Sequence, residues 1–132
     1  MRIARFAAPG ADPKFGIVEL DVDGGENPDT IAALTADPLA GPVNLTGERM
    51  PLDQVRLLAP VLPRSKVIGV GRNYADHAAE LGNEVPGDGL YFIKPNTSVI
   101  GPGEAIVRPT KCKDLHYEGE LAVVIGRICK EV

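Results

Sequence analysis

The chain has 132 residues, 44% of them apolar and 24% charged, with a net charge of −4 and a pI near 5.1. That balance describes a globular protein of one domain, or a small domain plus part of another. It excludes two classes of partner: no basic stripe interleaved with aromatics suits nucleic acid, and no run approaches the roughly 18 apolar residues of a membrane span. The opening MRIARFAAPGADPK has no apolar core of signal-peptide length, so a cytoplasmic protein is expected. Gly (15) and Pro (12) make up about a fifth of the chain, which favours a β-rich, turn-rich α+β architecture over a helical bundle.

Arg2 to Phe6 and Gly16 to Leu20 read as short strands, and the turn composition of APGADPK between them predicts a hairpin. A second turn-rich piece runs from Asp23 to Asp29. Thr30 is then placed to cap a short helix through IAALTAD, with Asp29 near its positive end, ended by Pro38 and Gly41-Pro42. Residues 39–51 read as loop, and Gln54 to Leu58 as a short strand stopped by Pro60. The segment Pro60 to Pro63 is the natural boundary between a small N-terminal subdomain, 1–63, and a second part, 64–132. Nothing before residue 64 carries visible chemistry.

Lys66 to Val70 reads as a buried strand. After it, Asp76 to Leu81 is helix-compatible, with Gly82 as C-cap. His77 and Glu80 are three apart and share a helix face. A carboxylate beside an imidazole raises its basicity and fixes its tautomer, a device for deprotonating water. The same spacing also describes an ordinary surface pair. Leu90 to Ile93 is a strand stopped by Lys94-Pro95. Lys94 can hold an anionic substrate or stand solvated at the strand end. Of the adjacent Tyr91 and Phe92 one must face inward, so both are assigned to the core rather than to substrate. Gly101 to Gly103 make a tight turn, and Ala105 to Val107 resume as strand. Cys112 and Cys129 form no CxxC arrangement and read as reduced thiols.

The most informative stretch is HYEGELAVVIG, 116–126. Leu121 to Ile125 is unbroken apolar and β-branched, the pattern of a strand buried on both faces. Glu118 and Glu120 point to one face of such a strand, about 6–7 Å apart. Two like charges at the mouth of a buried strand need a proton, basic neighbours or a cation between them. Oxygen-only donors at that spacing suit Mg²⁺, Mn²⁺ or Ca²⁺. A solvated strand end explains the pattern too. His116 and Asp114 lie just before and are possible further ligands, but the direction of a loop residue is not set by its neighbours.

In this order, VGRNYADHAAELG, LYFIKPNTSVIGPG and HYEGELAVVIGR resemble the fumarylacetoacetate hydrolase family, over residues 66–132. The likeness is to its acylpyruvase, oxaloacetate decarboxylase and 2-hydroxyhepta-2,4-diene-1,7-dioate isomerase branch. It implies a roll of mixed β-sheets with a small N-terminal subdomain, usually a homodimer. Glu118 and Glu120 match two of the family's three carboxylates for Mg²⁺ or Mn²⁺. His77 and Glu80 match the pair that activates water, and Lys94 matches the lysine of the FxKP turn near substrate. The expected activity is metal-dependent cleavage of a carbon–carbon bond in 2,4-diketo acids through an enolate. Isomerase or decarboxylase chemistry at the same site is the alternative, and a non-catalytic module is the third reading. The family's third metal carboxylate falls beyond Val132, so a piece of a longer protein is expected.

Overall fold

The computed structural model describes residues 1–21 and 28–131. The chain divides into two compact units, Met1–Pro60 with Gly101–Val132, and Val61–Ile100.

The first unit is built on a five-stranded sheet. Its strands are β1 (Arg2–Ala7), β2 (Lys14–Glu19), β3 (Thr30–Leu34), β4 (Leu45–Pro51) and β5 (Arg56–Leu57), in the spatial order β4-β3-β2-β1-β5. Every pairing is antiparallel. The expected hairpin is present: β1 and β2 pair with Ala4 opposite Gly16, and Gly10 turns the chain between them at φ +71°. The turn expected over Asp23 to Asp29 lies largely outside the described residues.

The alternation of strand side chains explains the core. Ala4 and Phe6 of β1, Gly16 and Val18 of β2, Ile31 and Ala33 of β3, and Met50 of β4 fall on one face by register. Phe6, Ile31 and Ala33 are fully buried there, with Ala4, Val18, Met50, Leu52, Val55 and Leu57 packed around them. Gly16 makes this packing possible. A Cβ at that position would stand 2.6 Å from the Ile31 side chain and 2.9 Å from the Phe6 ring.

Two expectations fail here. Residues from Thr30 onward form β3 rather than a capped helix. The alanines of IAALTAD favour helix locally, but Ile31 and Ala33 bury completely between neighbouring strands, and tertiary packing outweighs a weak propensity. Residues 45–51, read as loop, form edge strand β4, whose irregular pairing with β3 and left-handed Gly47 (φ +92°) hide any alternation. A charged surface fastens this edge. Arg49 donates from Nε to Glu19 Oε2 at 3.0 Å and from Nη2 to Oε1 at 3.2 Å, and Thr30 Oγ1 donates to Glu19 Oε2 at 2.9 Å. The Arg49 guanidinium, and after it the Thr30 hydroxyl, hold the Glu19 carboxyl below the usual carboxylate range.

The second unit holds β6 (Val67–Gly71), α1 (Ala75–Glu80) and β7 (Leu90–Lys94). β6 and β7 form an antiparallel pair with Val67 opposite Lys94 and Gly71 opposite Leu90. Their apolar composition predicts burial. Instead β7 is exposed along its length, with Ile93 at 67%, and Tyr91 and Phe92 are not core residues. Among the described residues these two strands have no third strand paired with them to extend the sheet.

Among the described residues, 99–131 contain no strand or helix. The strands expected at Ala105 to Val107 and Leu121 to Ile125 are absent, and Leu121 and Val123 are 84% and 79% exposed. An apolar run becomes a strand only where another backbone takes up its N–H and C=O groups. No described strand offers that pairing. Among the described residues no helix is long and apolar enough to cross a membrane.

Candidate active site

The chain leaves β6 through Gly71 and then Arg72, a non-glycine residue in the left-handed region at φ +55°. This conformation costs about 1–2 kcal/mol for a residue with a Cβ. It redirects the backbone out of the strand toward α1, which starts three residues later. Tyr74 precedes the helix in extended conformation, and Asp76 lies in the first turn, where a negative charge is favoured. The helix ends as the sequence predicts. Gly82 adopts φ +67°, its N–H donates to the Ala79 carbonyl at 3.0 Å, and Asn83 N–H donates to Ala78 O at 2.8 Å.

Ala78 is the buried residue of this helix. His77 and Glu80 stand together, with Nδ1 to Oε2 at 3.5 Å and side chains 46% and 76% exposed. That distance is an ion-pair contact, longer than a formed hydrogen bond. A proton on Nδ1 facing the carboxylate leaves Nε2 as the basic atom of the ring.

Lys94 belongs to the same unit, at the end of β7. Opposite Val67, it stands four residues along the sheet from the Gly71 end, where the chain departs toward His77, about 13 Å by strand rise. Its Nζ lies 5.9 Å from the centre of the Phe92 ring. Glu118 and Glu120 belong to the other unit and lie in the irregular exposed stretch, as do Asp114 and His116. Cys112 and Cys129 are both free thiols.

For a divalent metal the donor chemistry of Glu118 and Glu120 fits: both offer hard carboxylate oxygens, as Mg²⁺ and Mn²⁺ prefer. They would be part of a donor set, since no group of three or more His, Cys, Asp or Glu able to hold an ion occurs among the described residues. Two features escaped the residue patterns. The left-handed Arg72 carries no signal, because arginine is not a residue that marks φ > 0. The placement of Phe92 over β6 had a signal, the glycines of VIGVG opposite LYFIK, but it needs the strand register to be read.

This strand, helix and glutamate order belongs to a known class. The model of the fumarylacetoacetate hydrolase C-terminal region matches residues 66–132, and the chain belongs to that family. A second model, named Rv2993c-like, N-terminal, matches residues 1–60. Among particular proteins, the chain is 47% identical to Protein Rv2993c of Mycobacterium tuberculosis, over 100% of this chain and 48% of that protein. It is 32% identical to the mitochondrial oxaloacetate tautomerase Fahd2a of Rattus norvegicus, over 100% of this chain and 47% of that one. The chain thus spans about half the length of these curated relatives. A solved structure described as 5-carboxymethyl-2-hydroxymuconate delta-isomerase from Mycobacterium smegmatis superposes with a TM-score of 0.57 at 42% identity, covering 76% of this chain and 35% of that one.

Proposed function

We propose that this chain is part of an enzyme that moves a proton, or breaks a carbon–carbon bond, beside the 2-oxo group of a small 2-oxo acid. The observation that carries this reading is the His77–Glu80 pair, presented on an exposed helix within the stretch that matches the family. The activities named for several relatives share one chemistry: tautomerisation or decarboxylation of oxaloacetate, and isomerisation of hydroxydienoates. Each passes through an enol or enolate next to a carboxylate. Tautomerisation of an oxaloacetate-like acid is therefore the leading reading. Hydrolytic carbon–carbon cleavage, the reaction class in the family's name, is the second, with a 2,4-diketo acid as the substrate in keeping with a 2-oxo acid site.

His77 Nε2 takes a proton from the carbon next to the 2-oxo group. The C–H electron pair becomes the C=C bond of the enol, and the carbonyl electrons move onto oxygen. The proton returns to that oxygen, or to carbon in the reverse direction, so no oxidant is required. Glu80 holds the imidazole ring and balances its charge when protonated. For hydrolysis the same base would deprotonate a water. Lys94 is assigned to a substrate carboxylate. Glu118 and Glu120 would hold Mg²⁺ or Mn²⁺, which when bound supplies Lewis acidity toward the developing oxyanion. The family resemblance further supports a homodimer, which light scattering on the intact protein tests.

The deciding experiment follows enol-oxaloacetate by ultraviolet absorbance with the intact protein. Rapid ketonisation that stops with chelator supports the reading. Failure to turn over oxaloacetate, a hydroxydienoate or an acylpyruvate sinks it. Separately, Mn²⁺ binding read by electron paramagnetic resonance should be lost in the double variant Glu118→Gln, Glu120→Gln. Retained binding removes these carboxylates from the metal site.

A further inference from the structure

The turn that leads from β6 into α1 rests on one strained residue. On one side the chain is fixed by strand pairing, which continues through Gly71 opposite Leu90. On the other it is fixed by α1, whose Ala78 is only 2% exposed. Arg72, Asn73 and Tyr74 lie between strand and helix, and Tyr74 is extended at φ −109° and ψ 111°. Of the three, Arg72 alone has positive φ, +55°. A residue with a Cβ adopts that region at a cost that glycine avoids. The arginine side chain is exposed, and among the described residues it makes no ion pair or hydrogen bond that would offset the cost. Such strain persists only where the surroundings impose it. Here the imposing elements are the paired strand end and the seated helix.

We propose that Arg72 is a positioning residue for the base: its left-handed backbone, rather than its guanidinium, sets the direction in which α1 leaves the strand and so the place of the His77 imidazole. The proposal rests on the reading of His77 as the base of a 2-oxo acid enzyme. The leverage is short. His77 lies five residues after Arg72 and one before Ala78, so a rotation about the Arg72 dihedrals moves the imidazole and the buried alanine together. If φ at Arg72 returns to the negative regions, α1 has to leave its seat. Displacing a catalytic group by about 1 Å is enough to cost about 10²-fold in rate. Glu80 rides on the same helix as His77, so their contact moves as a unit. The loss therefore falls on where the pair stands and not on its basicity.

The test compares, in the intact protein, two substitutions that both remove the guanidinium. Asparagine enters the left-handed region readily, whereas β-branched valine is strongly disfavoured there. In oxaloacetate tautomerisation Arg72→Val should lower kcat by about tenfold or more, with KM within about twofold of the parent and the pH profile unchanged in shape. Arg72→Asn should keep kcat within about threefold. Amide hydrogen exchange adds a readout that needs no turnover. The N–H groups of Ala78, Leu81, Gly82 and Asn83 donate within α1 and its cap, and Arg72→Val should speed their exchange by about tenfold while Arg72→Asn leaves it near that of the parent. Equal losses of kcat in the two variants, or a rise in KM common to both, assigns the effect to the guanidinium and overturns the proposal. If Arg72→Val does not fold, a folded and active Arg72→Asn supports the proposal, and a loss beyond threefold in Arg72→Asn overturns it. Unchanged kcat and exchange in Arg72→Val, in an active parent, overturns the proposal and leaves the proposed function intact. Faster exchange in Arg72→Val alone, in a parent inactive on every 2-oxo acid tried, keeps Arg72 as the joint that places α1 and removes the proposed function.

Discussion

Residues 1–60 and residues 61–131 handle their apolar side chains in opposite ways. In the first stretch, five strands enclose Phe6, Ile31 and Ala33 completely. In the second, Ile68, Ile93, Leu121 and Val123 are at least half exposed, although they too lie in apolar runs. The contrast teaches that apolar content alone does not make a core; a core requires elements that meet around it. The residues proposed for the chemistry, His77, Glu80, Lys94, Glu118 and Glu120, all stand on the open stretches and none on the sheet that encloses itself.

The sharpest way to break this comparison is at the proposed site. His77→Ala should lower kcat for oxaloacetate tautomerisation by about 10²–10⁴-fold, while Mn²⁺ binding stays unchanged. A loss below threefold would remove His77 as the base. The next largest effect is in the closed core. Phe6→Ala should cost about 3–5 kcal/mol in chemical denaturation of residues 1–132, because the ring is 1% exposed. Ile93→Ser in the same polypeptide should fall within about 0.5 kcal/mol of the parent. Comparable losses at the two positions would erase the distinction between the regions.

Gly16→Ala should destabilise by about 1–3 kcal/mol, since the methyl must displace the Ile31 and Phe6 side chains and the Ala32 carbonyl. Gly41→Ala, with nothing within 4 Å, is the matched control and should be nearly neutral. The smallest effect belongs to the surface. The folded Glu19 carboxyl lies below its ordinary value of 4.5 because Arg49 and Thr30 bind its ionised form. Its contribution is therefore complete above that ordinary value and fades as pH falls through the lower folded value. Glu19→Gln should lower the thermal midpoint slightly at neutral pH, and the difference from the parent should shrink below pH 4.5. A difference independent of pH would dismiss the ionised pair as its source.

Much of this molecule was readable from local chemistry. The β1–β2 hairpin, β6, α1 with its Gly82 cap, and β7 follow from short-range rules: turn residues, strand composition, and a glycine free to take positive φ. The pairing of His77 with Glu80 also follows, since three residues on a helix place two side chains side by side. The same rules misread Ile31 to Leu34 as helix, because alanine's preference is local while its burial is decided by β2 and β4. They misread 45–51 as loop, because an edge strand is defined by its partner. They overread Leu121 to Ile125 as a formed strand.

The amino-acid sequence by itself determined which chemistry is available: carboxylates one residue apart, an imidazole three residues from a carboxylate, a lysine before proline, and the family that carries them in this order. Only the tertiary structure decided which apolar runs are enclosed, that Lys94 stands at the end of the sheet away from Gly71, and that Phe92 lies across Gly69 beside that lysine. The reason is physical. Side-chain spacing within one element is set by backbone geometry, whereas register and burial depend on which distant strands supply the missing hydrogen bonds and cover.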